Sequence, residues 1–167
     1  MSTEPLGEPT NLVLTRTFEA PARALFAAWT EAALVRKWWG PHGFTCHRAD
    51  MQVRPGGTSI VGMRAPAEWG GFELLNSWTY QVVEPGQRLE FTLRFVDPSG
   101  TPIVPQSIGI PPGVPAEVPH TLTFRDLDRG RSEMTIVEAG YTSSAALETS
   151  RSGLVETLDK LAEALRT

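Results

Sequence analysis

Residues 34–46 read LVRKWWGPHGFTC. Two tryptophans stand side by side and run straight into Gly-Pro-His-Gly. Glycine and proline both stop a helix, and together they favour a tight turn. Leu34, Val35 and Trp38 therefore read as the apolar stripe of a short helix that ends at Gly40. Arg36 and Lys37 fall in its last turn, where cations suit the helix dipole. Trp39 projects about 100° away from Trp38 around the helix, which predicts a place on an outer seam or rim. Gly40 and Gly43 allow the reversal, and Pro41 stiffens it. From Phe44 onward apolar residues recur with period two, so the turn hands a helix over to a strand.

Upstream, NLVLTRTFEA from Asn11 alternates and reads as a strand, preceded by a polar tail over residues 1–10. PARALFAAW opens on Pro21, which suits the first position of a helix. Leu25, Phe26 and Trp29 share one face of it, and Thr30 is the candidate cap of the next helix, with Glu31 in its first turn.

Downstream, FTCHRADMQV and TSIVGM flank RPGG, FELLNSWTYQVV and RLEFTLRF flank EPGQ, and PHTLTF and SEMTIVEAGY flank RDLDRGR. Short turns between alternating segments predict an antiparallel meander. A proline-rich stretch over about residues 98–117 interrupts it. Proline blocks both a helix and a central strand there, so a surface excursion is expected. Its Ile103, Val104, Ile108 and Ile110 are apolar enough to dock, as a lid or as the arm of a homodimer. The chain closes on SSAALETSRSGLVETLDKLAEALRT, with Leu147, Leu154, Leu158, Leu161 and Leu165 on one stripe. Ser143 or Ser144 can cap this helix. It would span roughly 30 Å, enough to cross a sheet. Its first half is polar all round and holds Gly153 in mid-helix. Either the backbone approaches the sheet closely there, or that half covers a mouth rather than a packed core.

The chain has 167 residues and a net charge of −4. That length fits one domain, over residues 11–167. The charge, with no basic run, argues against nucleic acid as a partner. No apolar stretch reaches the roughly 20 residues that cross a bilayer, so no membrane is expected. The start MSTEPLGEPTN lacks the basic and apolar regions of a signal peptide. Cys46 is the single cysteine, so no intrachain disulfide forms, and a cytoplasmic location is the simplest expectation.

Several stretches together carry a family resemblance: FEAPARALFAAWTEAALVRKWWGPHGF, RPGG at 54–57, VEPGQRLEFT at 83–92 and SGLVETLDKLAEAL. The chain resembles the activators of the heat-shock-protein-90 ATPase and their bacterial single-domain homologues, of the START-like (birch-pollen-allergen-like) helix-grip superfamily. The resemblance implies an α+β helix-grip fold. A curved antiparallel sheet of about seven strands would wrap round the long C-terminal helix, with two short helices after the first strand.

Alternation assigns an inner face to that sheet. It comprises His47, Ala49, Met51 and Val53; Ser59, Val61 and Met63; Trp78, Tyr80 and Val82; Leu89, Phe91, Leu93 and Phe95; His120, Leu122 and Phe124; and Met134, Ile136 and Glu138. A slip of one residue would invert any of these sets. Apolar and aromatic walls with a few polar groups suit a small-molecule pocket, and equally an ordinary core. The helix-grip resemblance implies a central cavity, walled by Met63, Trp78, Tyr80, Phe91, Phe95, Leu122, Met134, Leu154 and Leu158. The expected function is binding of a small apolar or amphipathic ligand.

Two alternatives remain. An acid–base enzyme of the polyketide cyclase type would draw on His47, His120 and Glu138. Relatives often carry a glutamate near Val82, and the valine removes that candidate acid. A chaperone ATPase regulator would act by protein contact, yet no exposed charge run or apolar stripe is assignable to such a contact. Eukaryotic activators also carry a further N-terminal domain that this sequence does not contain. No nucleophile elbow, phosphate loop or zinc motif is present, so neither a metal nor a cofactor is expected.

Overall fold

The computed structural model describes residues 5–166. Strand β1 (Pro5–Phe18) leads into α1 (Ala22–Thr30) and α2 (Ala32–Trp38). A meander follows: β2 (Thr45–Asp50), β3 (Thr58–Arg64), β4 (Glu73–Glu84), β5 (Arg88–Val96), β6 (Glu117–Asp126) and β7 (Ser132–Ser143). Helix α3 (Ser144–Ala164) ends the chain. The seven strands form one antiparallel sheet in the order β1-β7-β6-β5-β4-β3-β2. This is the α+β helix-grip architecture that the resemblance implies. Strand β1 starts at Pro5, ahead of the Asn11 start that alternation predicts, because its pairing with β7 continues across two register shifts.

Helices α1 and α2 plug one end of the sheet's concave face. Asp126, at the end of β6, accepts a hydrogen bond from the Ala22 backbone N–H at 2.8 Å and so caps α1. Thr30 does not cap α2. It ends α1, and its hydroxyl donates to the Phe26 carbonyl at 3.0 Å, a local bond that competes with capping. Trp38 is fully buried, and its indole N–H donates to the Ala28 carbonyl at 3.0 Å. Its ring meets Trp29 edge to face, with centroids 4.7 Å apart.

The turn after α2 is held by the C-terminal helix, which packs beside it. Lys160 on α3 donates from Nζ to the carbonyls of Gly40 at 3.0 Å and Phe44 at 2.9 Å. Gly40 sits at φ +110°, and a Cβ there would lie 3.0 Å from the Phe44 Cβ. Only glycine fits both the conformation and the space.

Two bulges change the facing that alternation predicts. Strict parity puts His47 inside. The shift between Cys46 and Arg48 turns it to the outer face, where its ring lies over Gly62 and Nε2 meets Glu73 Oε2 at 2.8 Å. A second shift between Tyr80 and Val82 leaves Val83, rather than Val82, packed against the core.

The proline-rich excursion is docked rather than loose. Pro102 bridges back to Val96, Pro105–Ile108 makes one 3-10 turn, and Val114 is buried. The Thr142 N–H donates to the Gly113 carbonyl at 3.0 Å, and the Ser143 hydroxyl to that of Pro112 at 3.1 Å. Ser143 Oγ also accepts from the Ala146 N–H at 3.1 Å, so the residue that caps α3 ties down the excursion as well.

Trp38→Ala is expected to destabilise by about 3–5 kcal/mol, as large-to-small core changes do. Trp39→Ala should cost less, because Trp39 is only half-buried. Urea midpoints at unchanged slope check this, and a larger loss at Trp39 would reverse the assignment.

Candidate ligand-binding site

The end of the concave face away from α1 is not filled by the short helices. A cleft of about 270 Å³ opens there. The sheet contributes Met63, Leu74, Asn76, Leu93, Phe95, Val118, His120, Glu138 and Tyr141. The first half of α3 contributes Thr149, Ser150, Gly153, Leu154 and Thr157. The turn after α2 adds Trp39, Pro41 and Phe44, and the excursion adds Ile110, Pro111 and Val114 as a roof.

Of the residues that the sequence suggests for such a wall, Met63, Phe95 and Leu154 stand on it. Trp78, Tyr80, Phe91, Leu122, Met134 and Leu158 do not line the cleft. They are fully buried beneath it, because α1 and α2 fill the concavity on their side. Of the three candidate acid–base residues, His120 and Glu138 meet in the cleft while His47 lies on the other face. Sequence reasoning missed Trp39, which swings inward at Gly40 and packs edge to face on Trp78 at 5.0 Å. It also missed Tyr141. Gly140, at φ +102°, absorbs the register shift between Thr10 and Leu12, so Tyr141 faces the same side as Glu138. A glycine inside a strand is the mark of such a bulge and was the available signal.

The polar groups form a chain along the wall. Tyr141 donates from its hydroxyl to Glu138 Oε1 at 2.7 Å. Glu138 Oε2 lies 3.4 Å from His120 Nε2, and His120 Nδ1 lies 2.9 Å from the Val118 carbonyl. A carbonyl can only accept, so Nδ1 carries a proton. Nε2 faces a carboxylate oxygen, so a proton lies between them, and the contact is charge-assisted whenever that proton sits on the ring. His120 also stacks on Phe91 at 4.7 Å, and Phe91 on Trp78 at 4.8 Å. Burial pushes the Glu138 carboxyl up, but the His120 charge, its hydrogen bond and the Tyr141 hydroxyl outweigh burial and hold it below its ordinary value. Burial and the neighbouring Glu138 charge push the Tyr141 phenol up, so it stays a donor. Among the described residues, no three His, Cys, Asp or Glu side chains cluster to hold a metal ion.

A depressed carboxyl contributes stability that is present above its unfolded value, about 4.3, and lost as pH falls through the folded one. Glu138→Gln is therefore expected to cost about 3 kcal/mol at pH 7, as breaking a buried pair does, with the gap to wild type narrowing below about pH 4. Urea unfolding across that range checks it. A gap independent of pH would remove Glu138's charge from the account.

The family model described as Activator of Hsp90 ATPase homolog 1-like protein matches residues 19–166. No curated protein matches the chain. Among solved structures, a Chromobacterium violaceum protein is 25% identical with a TM-score of 0.76, over 94% of this chain and 97% of its own. A Staphylococcus epidermidis protein is 23% identical with a TM-score of 0.74, covering 99% of this chain and 94% of its own. The AHSA1 protein of Silicibacter pomeroyi is 21% identical with a TM-score of 0.73, covering 94% and 98%. Likeness at these identities carries the fold.

Proposed function

The chain belongs to the Activator of Hsp90 ATPase homolog 1-like protein family, and from that premise we propose that it binds a small apolar or amphipathic ligand in the cleft between the sheet and α3. One observation carries this reading: the cleft of about 270 Å³ has mostly apolar walls, a few uncharged polar side chains on them, and a connected charged-and-polar chain, His120–Glu138–Tyr141. Apolar walls with a few placed polar groups are the ordinary make-up of a small-molecule site. Helix α3 supports it too. Gly153 lies on the cleft wall, and a Cβ built on it meets nothing within 4 Å.

Acid–base catalysis is the second reading, favoured by the same pair inside the cleft. It ranks below binding on two grounds. Both ring nitrogens of His120 are engaged, by Val118 and Glu138. A carboxyl held below its ordinary value is also a weaker base. Stimulation of a chaperone ATPase, the activity in the family's description, needs a protein interface of more than about 1,000 Å². This proposal assigns none.

A thermal-shift panel of fatty acids, simple aromatics, polyphenols and steroids tests the binding reading. A ligand at 100 times its dissociation constant should stabilise the folded state by about 2.7 kcal/mol. Gly153→Leu should abolish the shift while leaving the fold intact, by filling the cleft from the helix side. No shift from any class would end the reading.

A further inference from the structure

Resting on that reading, we infer that the ligand is uncharged and carries a hydrogen-bond donor, such as a phenol or an alcohol on an apolar frame, and that Glu138 selects it.

The argument is one of lone pairs and charge. Each Glu138 oxygen can accept two hydrogen bonds. Oε1 takes one from Tyr141 at 2.7 Å, and Oε2 faces His120 Nε2 at 3.4 Å. One acceptor site remains on each oxygen, and Glu138 lines the cleft. Backbone groups and neighbouring strands supply no further donor to it among the contacts described. A hydroxyl entering the cleft meets a carboxylate that can still accept, and hydrogen bonds to a charged acceptor are the strong ones.

An anionic ligand meets the reverse situation. No lysine or arginine lines the cleft. Its one potential cation, His120, is committed to Glu138. A ligand carboxylate would thus be desolvated beside another carboxylate with no free counter-charge, which buried anions do not tolerate. A ligand ammonium would add a positive charge to a pair already neutral when His120 is doubly protonated. A neutral donor leaves the balance intact. The remaining walls are mostly apolar, with Phe95, Leu93, Val114 and Leu154 beside the polar chain, and their other polar side chains, Asn76, Thr149, Ser150 and Thr157, are all uncharged.

Four probes on one two-ring frame separate these cases: 2-naphthol, 2-methoxynaphthalene, 2-naphthoate and 2-naphthylmethylammonium. Their dissociation constants are measured by calorimetry and by amide chemical shifts of cleft residues in the full chain at pH 7. The expected result is 2-naphthol binding about tenfold or more tighter than each of the others, the factor that one charge-assisted hydrogen bond supplies. In Glu138→Leu, which removes both acceptor oxygens at similar length, 2-naphthol and 2-methoxynaphthalene should bind equally. The wild-type series stands by itself should that variant fail to fold. Naphthoate or the ammonium binding as tightly as naphthol overturns the inference and leaves ligand binding standing. So does equal binding of naphthol and its methyl ether. Binding of none of the four, with no shift of any cleft amide, overturns both.

Discussion

A ladder of packed rings, edge to face at one end and stacked at the other, sets what the concave face of the sheet can do. It runs from Trp38 through Trp39, Trp78 and Phe91 to His120, with successive centroids 5.8, 5.0, 4.8 and 4.7 Å apart. Trp29 packs on Trp38, Trp78 and Phe91 from the helix side. That side holds the largest fully buried side chains among the described residues. On the other side Trp39 is a wall with open space beyond it. Aromatic rings hold this partition because they are large, rigid and favour edge and offset contacts. The ladder is fastened at its Trp38–Trp39 end by Lys160, whose ammonium satisfies carbonyls of the turn that follows α2. Burial lowers that ammonium's pKa, yet the carbonyl oxygens around it supply the partners that a buried charge requires.

The other end of the ladder is polar, and that is where the chemistry lies. A histidine and a glutamate, both less than a tenth exposed, face each other across neighbouring strands. Such a pair is a poor device for stability alone, since an apolar pair of similar size would serve as well or better. Its partners favour the ionised carboxylate of Glu138. Val118 fixes the ring, Tyr141 donates a hydrogen bond to the carboxylate, and Phe91 lies flat beneath the imidazole. Tyr141 reaches this position only through the kink at Gly140. A strand without that kink would turn the phenol to the outer face and leave Glu138 short of a donor.

The roof belongs to the same design. Proline-rich chain cannot join the sheet, so it crosses over the cleft and is pinned where β7 becomes α3. Ser143 serves both the helix cap and the Pro112 carbonyl. The roof and the first turn of α3 are therefore mechanically coupled through one hydroxyl, and both border the cleft.

Much of the fold was legible from local pattern. Period-two runs marked strands β2 to β7, the leucine stripe marked α3, and Gly-Pro after the tandem tryptophans marked the end of α2. Which face is inner followed wherever pairing is regular, so Ser59, Trp78, Phe91, His120 and Glu138 were all assigned inward by parity alone. The family resemblance supplied the way the sheet closes on α3. What local pattern could not encode were the places where one strand slips against another. His47 and Val82 were misplaced, and Tyr141 missed, at three bulges that exist only because a partner strand has a different count of residues. The cleft was equally out of reach. Apolar side chains specify burial, but an open volume is the difference between the space that the elements enclose and the space that their side chains fill. Both quantities depend on how α1, α2 and the proline-rich roof sit on the sheet, and only the tertiary structure decides that.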